Sequence, residues 1–226
     1  MATIYSSQPH VGAAVPDRRA ARRQQTIDEA LDHAVAIMTE HGVGALTVSE
    51  MARRMGIRAP SLYKYFPSLR GVYDALFARG LRSQQRAVRA AIEESERGAT
   101  RIRIGARAVV AWSVANPALA QLLFWRPVPG FEPSPEVFHH SVTEMVEVQA
   151  ELAEAVQRGE LAARAADDDA VRLYTIVLSG VISQQMANQP GATYDTGVFT
   201  RLTDDAIDMF FNHYTPAGAD HADLGQ

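Results

Sequence analysis

Residues 42–66, GVGALTVSEMARRMGIRAPSLYKYF, constrain this chain more tightly than any other stretch. Thr47 and Glu50 have the spacing of a capping box, in which the threonine hydroxyl covers an orphan amide of the first turn and the glutamate reaches back. Met51, Ala52 and Met55 give that helix one apolar stripe. Gly56 supplies the left-handed residue that ends it, and Ile57 is expected to plug the turn. Pro60 falls in the first turn of the next helix, where a missing N–H costs nothing. Leu62 and Phe66, four apart, face inward and leave Arg58, Ala59, Ser61, Lys64 and Tyr65 to face outward. The spacing predicts a helix-turn-helix whose second helix can enter a DNA major groove.

The rest of the chain reads as helix after helix. Arginines dominate residues 18–23, RRAARR, which read either as a solvated helix start or as an arm touching phosphate or the minor groove. Ile27, Ala30, Leu31, Ala34, Val35 and Met38 follow helical periodicity in a first helix ending at Gly42. Leu69, Val72, Tyr73, Leu76 and Phe77 open a long fourth helix running to about Arg97. Thr100 is the expected N-cap of a helix over 101–116. A short helix to about Trp125 follows, and then a proline-rich loop over 126–136. An amphipathic helix over 136–158 is expected to bury Phe138, Val142, Met145, Val146, Leu152 and Val156. After Asp167, Asp168 and Asp169, a helix to about Asn188 is apolar almost all round, and the last helix covers 198–214. No β-alternation, internal repeat or phosphate-binding glycine loop is present, so the predicted fold is all-α. It divides into a tail (1–17), a three-helix head (18–80), a helical body (81–215) reached through the long fourth helix, and a second tail (216–226).

Net charge is −4, but its distribution is uneven. Residues 1–107 carry 17 Lys+Arg against 10 Asp+Glu, whereas residues 108–226 carry 5 against 16. A basic first half on an acidic second half fits a DNA-reading head on a body that does not touch DNA. With 47% hydrophobic residues the chain can build a core, and with no cysteine it has no disulfide, thiol nucleophile or thiolate metal site. No run approaches the ~18 apolar residues of a membrane span, and the N-terminus lacks the apolar centre of a signal peptide, so a cytoplasmic location is expected.

Taken in order, L-T-V-S-E-M-A-R-R-M-G-I, S-L-Y-K-Y-F and the long fourth helix resemble the tetracycline-repressor (TetR) family of transcriptional regulators over residues of about 20 to 80. The segment WSVANPALAQLLFW, residues 112–125, resembles an element in the regulatory bodies of some relatives. The resemblance implies a homodimer that binds operator DNA and responds to a small molecule. It also marks one departure: the lysine that commonly pins the fourth helix to a phosphate is Leu69 here, with Arg70 beside it.

Arg58 has the donors for a bidentate pair with guanine, although a helix start also suits a phosphate. Ser61 can hydrogen-bond a base or backbone oxygen, and Ala59 and Pro60 can touch a thymine methyl. The resemblance makes Tyr63 and Lys64 phosphate clamps, puts Tyr65 where relatives often hold histidine, and leaves Arg70 to stand in for the lysine. Thr47 can also reach a phosphate. The all-round apolar helix must find a partner on the face its own core cannot cover. Leu173, Val177, Val181, Phe199 and Phe210 are therefore the candidate dimer surface, which would make a four-helix bundle from two chains. Trp112, Phe124, Trp125, Phe138, Tyr174 and Met186 are candidate walls of an apolar ligand cavity, with Phe131 nearby. Glu136, His139, His140 and Glu144 share one helical face, but no second ligand set accompanies them, so no metal is expected. No catalytic constellation or cofactor motif is present. The rival readings are a helical small-molecule-binding protein or enzyme with a non-functional DNA-binding head, or a module whose basic head binds an acidic protein.

Overall fold

The computed structural model describes residues 18–216. The α-helices run in the order α1 (Arg18–His41), α2 (Val48–Arg54), α3 (Ala59–Leu62), α4 (Leu69–Ile92), α5 (Ala99–Ala115), α6 (Pro117–Trp125), α7 (Pro135–Gln157), α8 (Asp168–Asn188) and α9 (Thr203–His213). Among the described residues there is no strand, so the fold is all-α as the periodicity predicts. The two expected tails lie outside the described residues, apart from Pro216. The arginines of residues 18–23 form the exposed first turns of α1.

The capping box at α2 forms by half. Thr47 Oγ1 accepts from the Glu50 amide at 3.1 Å. The Glu50 carboxylate does not reach back; it accepts instead from Arg53 (2.7 Å from both Nε and Nη2) and from Arg54 Nε (3.0 Å). Two charged donors at i+3 and i+4 outcompete one neutral amide. Arg54 also forks onto Glu40 at 2.9 and 2.7 Å, fastening α2 to α1. These neighbours hold the Glu50 carboxyl far below its ordinary range, near 2, chiefly through the hydrogen bonds from Arg53 and Arg54. Gly56, at φ 66°, ends α2 in a Schellman turn: Ile57 N donates to Ala52 O and Gly56 N to Arg53 O. Ile57 does not plug this turn. It is 37% exposed, because the backbone bonds already close the turn while the core beneath is filled by Leu46, Met51 and Leu62. The α-helical part of α3 is one turn; hydrogen-bonded turns through Tyr65 carry it to the buried Phe66.

The core of the head does not stop at the head. Ala30, Leu31, Ile37, Leu62, Val72 and Phe77 share one buried cluster with Trp112 of α5, Leu119 and Leu122 of α6, and Phe131 of the 126–134 loop. Tyr73 packs on Phe131 with ring centroids 5.6 Å apart and donates its hydroxyl to Val43 O at 2.9 Å, just before the helix-turn-helix. Asp74, also on α4, accepts from Ser134 N at 2.7 Å and Ser134 Oγ at 2.9 Å, so the start of α7 is clasped to the head. Trp112 Nε1–H donates to Ser83 Oγ of α4 at 3.0 Å.

α4 ends at Ile92, short of Arg97, where Ser95 turns its hydroxyl and amide onto the Ile92 carbonyl. α5 then begins at Ala99, and Thr100 is not its cap. Gly98 takes that place at φ 89°, and two acids cover the first amides across space: Glu151 Oε2 accepts from Gly98 N at 3.0 Å and Glu160 Oε2 from Ala99 N at 2.8 Å.

A second buried cluster unites Ile102, Ala106 and Val110 of α5 with Leu152 and Ala155 of α7, Tyr174, Leu178 and Ile182 of α8, and Ile207 and Phe210 of α9. α7 differs from expectation in its first half: Leu152 and Ala155 are buried, whereas Phe138, Val142, Met145 and Val146 are exposed. This half edges a cavity rather than a filled core, with Met145 Sδ accepting from Thr175 Oγ1 of α8 at 3.8 Å. The last helix also starts late, at Thr203 after a 3-10 turn over Thr200–Leu202. The preceding chain is tied to Gln185, whose Oε1 accepts from Phe199 N (3.0 Å) and Thr200 N (3.3 Å). No single described helix is long and apolar enough to cross a membrane.

Candidate nucleic-acid interface

The face presented by α3 carries Arg58, Pro60, Tyr63 and Lys64 in the open, with Ala59 and Ser61 partly covered. Tyr63 is 52% exposed, although Leu62 beside it is fully buried; a solvated aromatic ring next to a lysine suits contact with a phosphodiester. Tyr65 behaves differently. It is half-buried against the head core, with the Arg23 guanidinium 5.4 Å from its ring centroid. Arg19, Arg22, Arg23, Thr26, Lys64 and Tyr65 surround one recess, so the arginines of α1 and the lysine after α3 form a single basic surface. Thr47 is exposed at the head of α2 while serving as its cap. Leu69 is half-buried against the head core, and Arg70 is exposed; a Cβ added at Gly130 would lie 3.5 Å from Arg70 Nη2, so the guanidinium stands beside the 126–134 loop.

Behind the head lies a cavity of about 580 Å³, walled by α4 (Phe77, Leu81, Gln84, Val88), α5 (Ile102, Val109), α7 (Phe138, Val142, Glu144, Met145) and α8 (Tyr174, Leu178). Three of the expected wall residues, Phe124, Phe138 and Tyr174, line it. Trp112, Trp125, Met186 and Phe131 do not. Trp112 and Phe131 are buried in the head-side core, Met186 packs between the two core clusters, and Trp125 is partly exposed edge-on to Phe124 at 5.7 Å. Aromatic composition alone does not separate a wall from a core. The polar wall residues went unforeseen in that role, Gln84 and Glu144 among them, together with the charged Arg89, Arg101, Arg126, Glu147 and Glu151. Gln84 occupies the apolar face of α4 at heptad-like spacing from Phe77, Leu81 and Val88, and a polar residue there is the signal that marks it. Burial first, and then the charge of Glu147, push the Glu144 carboxyl up to about 7, against the opposing pull of Arg89. Burial also raises the Tyr174 hydroxyl, with the Glu144 charge adding to it. His139 and His140 are exposed, and among the described residues no group of three or more acidic or histidine side chains is placed to hold a metal ion.

On the far side of the body, α8 and α9 carry an unpartnered apolar face. Ile176 is 66% exposed and Met209 73%, and Leu173, Val177, Val181 and Phe199 are half-buried around them. Phe210 cannot belong to that face. It is fully buried among Tyr174, Phe211 and Tyr214, with ring centroids 5.9, 5.8 and 5.0 Å away.

A helix-turn-helix head carried by a shared long helix on an all-helical body is the architecture of a DNA-binding transcriptional regulator. Residues 30–76 match the model described as bacterial regulatory proteins, tetR family, and residues 102–208 match that described as tetracyclin repressor-like, C-terminal domain. The chain belongs to the TetR family of transcriptional regulators. Among solved structures it is similar to a protein of unknown function from Rhodococcus sp. RHA1, at 21% identity over 92% of this chain and 100% of that one, with a TM-score of 0.67. It is also similar to the transcriptional regulator FadR from Bacillus subtilis in complex with stearoyl-CoA, at 15% identity over 81% and 97% of the two chains and a TM-score of 0.66. RolR in complex with resorcinol matches at 14% identity over 88% and 91%, with a TM-score of 0.57. At these identities the likeness is one of fold. No curated protein matches the chain significantly.

Proposed function

We propose that this chain is a ligand-responsive repressor that binds a palindromic operator as a homodimer. The observation that carries the reading is the double use of α4. Its first half, with Val72, Tyr73, Leu76 and Phe77, is core to the head, and its second half, with Leu81, Gln84 and Val88, is a wall of the cavity. A ligand that fills the cavity acts on the same rod that holds the recognition helix. The Asp74–Ser134 clasp gives α7 a second hold on that rod. Two ligand-bound relatives of the same fold, FadR with stearoyl-CoA and RolR with resorcinol, support a ligand-taking body. The rival of an enzyme on a silent head has no nucleophile–base constellation in this cavity to support it.

Dimerisation uses the exposed apolar face of α8 and α9, with Leu173, Val177 and Val181 around Ile176, and with Phe199 beside Met209. An isologous pairing of this face places the two heads on one side of a duplex, about 34–36 Å or a multiple apart. Arg58, Ala59, Pro60 and Ser61 read base edges, while Thr47, Tyr63 and Lys64 hold phosphates. The α1 arginines extend the phosphate contact, and Tyr65 shapes the basic surface from beneath Arg23. Arg70 stands in for the missing lysine by reaching a phosphate from the first turn of α4. Ligand binding tilts α4 and weakens operator binding, and the coupling is reciprocal.

Fluorescence anisotropy with DNA flanking the gene tests this. Wild type binds in the nanomolar range against competitor. Lys64→Ala weakens all sequences alike and lowers the salt slope by about 1, whereas Arg58→Ala costs roughly 1–3 kcal/mol and relaxes preference at one base pair. A folded wild type that prefers no sequence would end the regulator reading.

A further inference from the structure

The cavity is long and narrow. On α4 its wall is one stripe, Phe77, Leu81, Gln84, Val88 and Ile92, which at 1.5 Å per residue runs about 22 Å. On α7 the facing wall runs from Phe138 to Glu151, about 20 Å. The two helices lie side by side and in the same direction, since Asp74 meets Ser134 near their starts and Arg89 meets Glu147 further on. About 580 Å³ spread over that length leaves a mean cross-section of about 26 Å², a bore of about 5–6 Å. Carbon atoms in contact stand about 3.5–4.0 Å apart, so one extended hydrocarbon chain passes and two abreast do not. Arg89, Arg101 and Arg126 balance Glu144, Glu147 and Glu151, so the charged lining sets no sign for the ligand. What the walls set is shape.

The end beside α6 is the mouth, where Phe138 and Val142 stand 42% and 45% exposed at the rim. The far end is shut by Ile92 and Ile102 and by the Arg101–Glu151 pair at 3.5 Å. Gly105 sits at that far end, buried in the middle of α5. A Cβ there would stand 3.8 Å from Val88 Cγ1 and 3.9 Å from Ile92 Cγ2, in ordinary contact. Alanine would fit and would favour the helix, so neither packing nor helix formation calls for glycine. An open slot does.

We propose that the cavity takes one unbranched aliphatic chain of about 14–18 carbons, entering past Phe138 and Val142, with Gly105 the residue that admits its tip. The inference deepens the ligand-responsive reading above and rests on it. With bonds of about 1.5 Å at about 111°, an extended chain advances about 1.25 Å per carbon, so 22 Å holds about 18. The polar end of the ligand stays at the rim, within reach of water. Gln84 and Glu144 break the apolar lining midway, and burial lifts the Glu144 carboxyl up to about 7, which reduces the charge a chain must pass. From Val88 to Ile92 is about 6 Å, so a side chain at position 105 that fills this stretch shortens the slot by about five carbons.

The test is equilibrium dialysis of the full chain and Gly105→Leu against primary alcohols of eight to sixteen carbons, with bound alcohol measured by gas chromatography. Wild type takes one alcohol per chain, and its affinity rises about fourfold per methylene through 1-hexadecanol. Gly105→Leu matches wild type up to 1-decanol and gains nothing beyond 1-dodecanol, so it binds 1-hexadecanol about 100-fold or more weakly. A Tm at or above that of wild type shows that the variant is folded. The branched isomer 2-hexyl-1-decanol, with the same sixteen carbons in two arms, binds wild type at least tenfold more weakly than 1-hexadecanol. No gain between 1-decanol and 1-hexadecanol, equal binding of the branched isomer, a variant that gains as wild type does, or no binding by any alcohol would each overturn the assignment. Operator binding is measured without alcohol, so failure of the length rule and failure of the regulator reading show in separate assays.

Discussion

Gln185 is the anchor that sets where α9 begins, and removing it gives a quantitative test of the body's architecture. The side chain is 1% exposed. Its Oε1 accepts from Phe199 N at 3.0 Å and Thr200 N at 3.3 Å, and its Nε2 donates to Gln189 O at 3.0 Å. Gln185→Leu keeps the volume but strands two amides, that of the buried Thr200 and that of the half-buried Phe199; the Gln189 carbonyl, on an exposed residue, can turn to water. At about 1–3 kcal/mol for each of the two stranded amides, less about 1 kcal/mol for the added apolar burial, the net loss is about 1–5 kcal/mol. For a chain of 226 residues that lowers Tm by roughly 2–20 °C, read by calorimetry or circular dichroism. The neighbouring exposed Gln184→Leu serves as control and stays within about 0.5 kcal/mol. Gly197→Ala attacks the same knot from its other side, since a Cβ there would stand 2.4 Å from both Gln185 Oε1 and Thr200 Oγ1. Combined with Gln185→Leu it costs less than the sum of the two, because both changes break one network. A Gln185→Leu protein as stable as the control, or strict additivity in the double variant, would refute the anchor.

Three further predictions concern the site. Asp74→Ala removes both bonds to Ser134, lowers stability by about 2–3 kcal/mol in urea unfolding, and weakens the effect of ligand on operator binding while leaving ligand affinity within about threefold; unchanged coupling would count against the clasp as a transmitter. Glu144 titrates near 7 in the fold instead of its ordinary 4.5, so the stability linked to its neutral form is complete below about 4.5 and is lost as pH rises through 7, by about 3 kcal/mol at most. Glu144→Gln therefore gains about 1–3 kcal/mol on wild type between pH 5 and pH 8 in thermal unfolding, and an equal pH slope in both proteins contradicts this. Ile176→Arg sets a pair of like charges into a two-fold apolar interface and yields monomers by light scattering at micromolar concentration, with unaltered helicity; a persistent dimer would move the interface elsewhere.

The helix-turn-helix was legible because its signals are local. Gly56, Thr47 and Pro60 act through the backbone within a few residues, and Leu62 and Phe66 need only one helical turn to share a face. Where stronger partners stood within reach, in the same turn or across the fold, the local signal lost. Glu50 met Arg53 and Arg54 instead of its own cap, and Glu151 and Glu160 capped α5 across more than fifty residues of chain, in place of Thr100. The body was legible as helices but not as surfaces. Phe210 and Phe138 look alike in a helical stripe, yet one lies in an aromatic cluster and the other on a cavity rim, a difference set by which helices pack together. Gln84 was the readable clue: a polar residue where an apolar face called for none.

The shared core at the root of α4 bears on how such a gene can be cut and rejoined. Residues 18–80 contain the whole helix-turn-helix, but Val72, Tyr73 and Phe77 are covered by Leu119, Leu122 and Phe131, which are encoded forty or more residues later. A head excised after residue 80 would carry a bare apolar flank. A chimera that trades heads between relatives at that point would join two surfaces that never packed together. The transferable part is discontinuous in sequence: α1 to α4 together with α6 and the loop behind it. New operator specificity is thus reached more readily by substitution on α3 than by exchange of the domain.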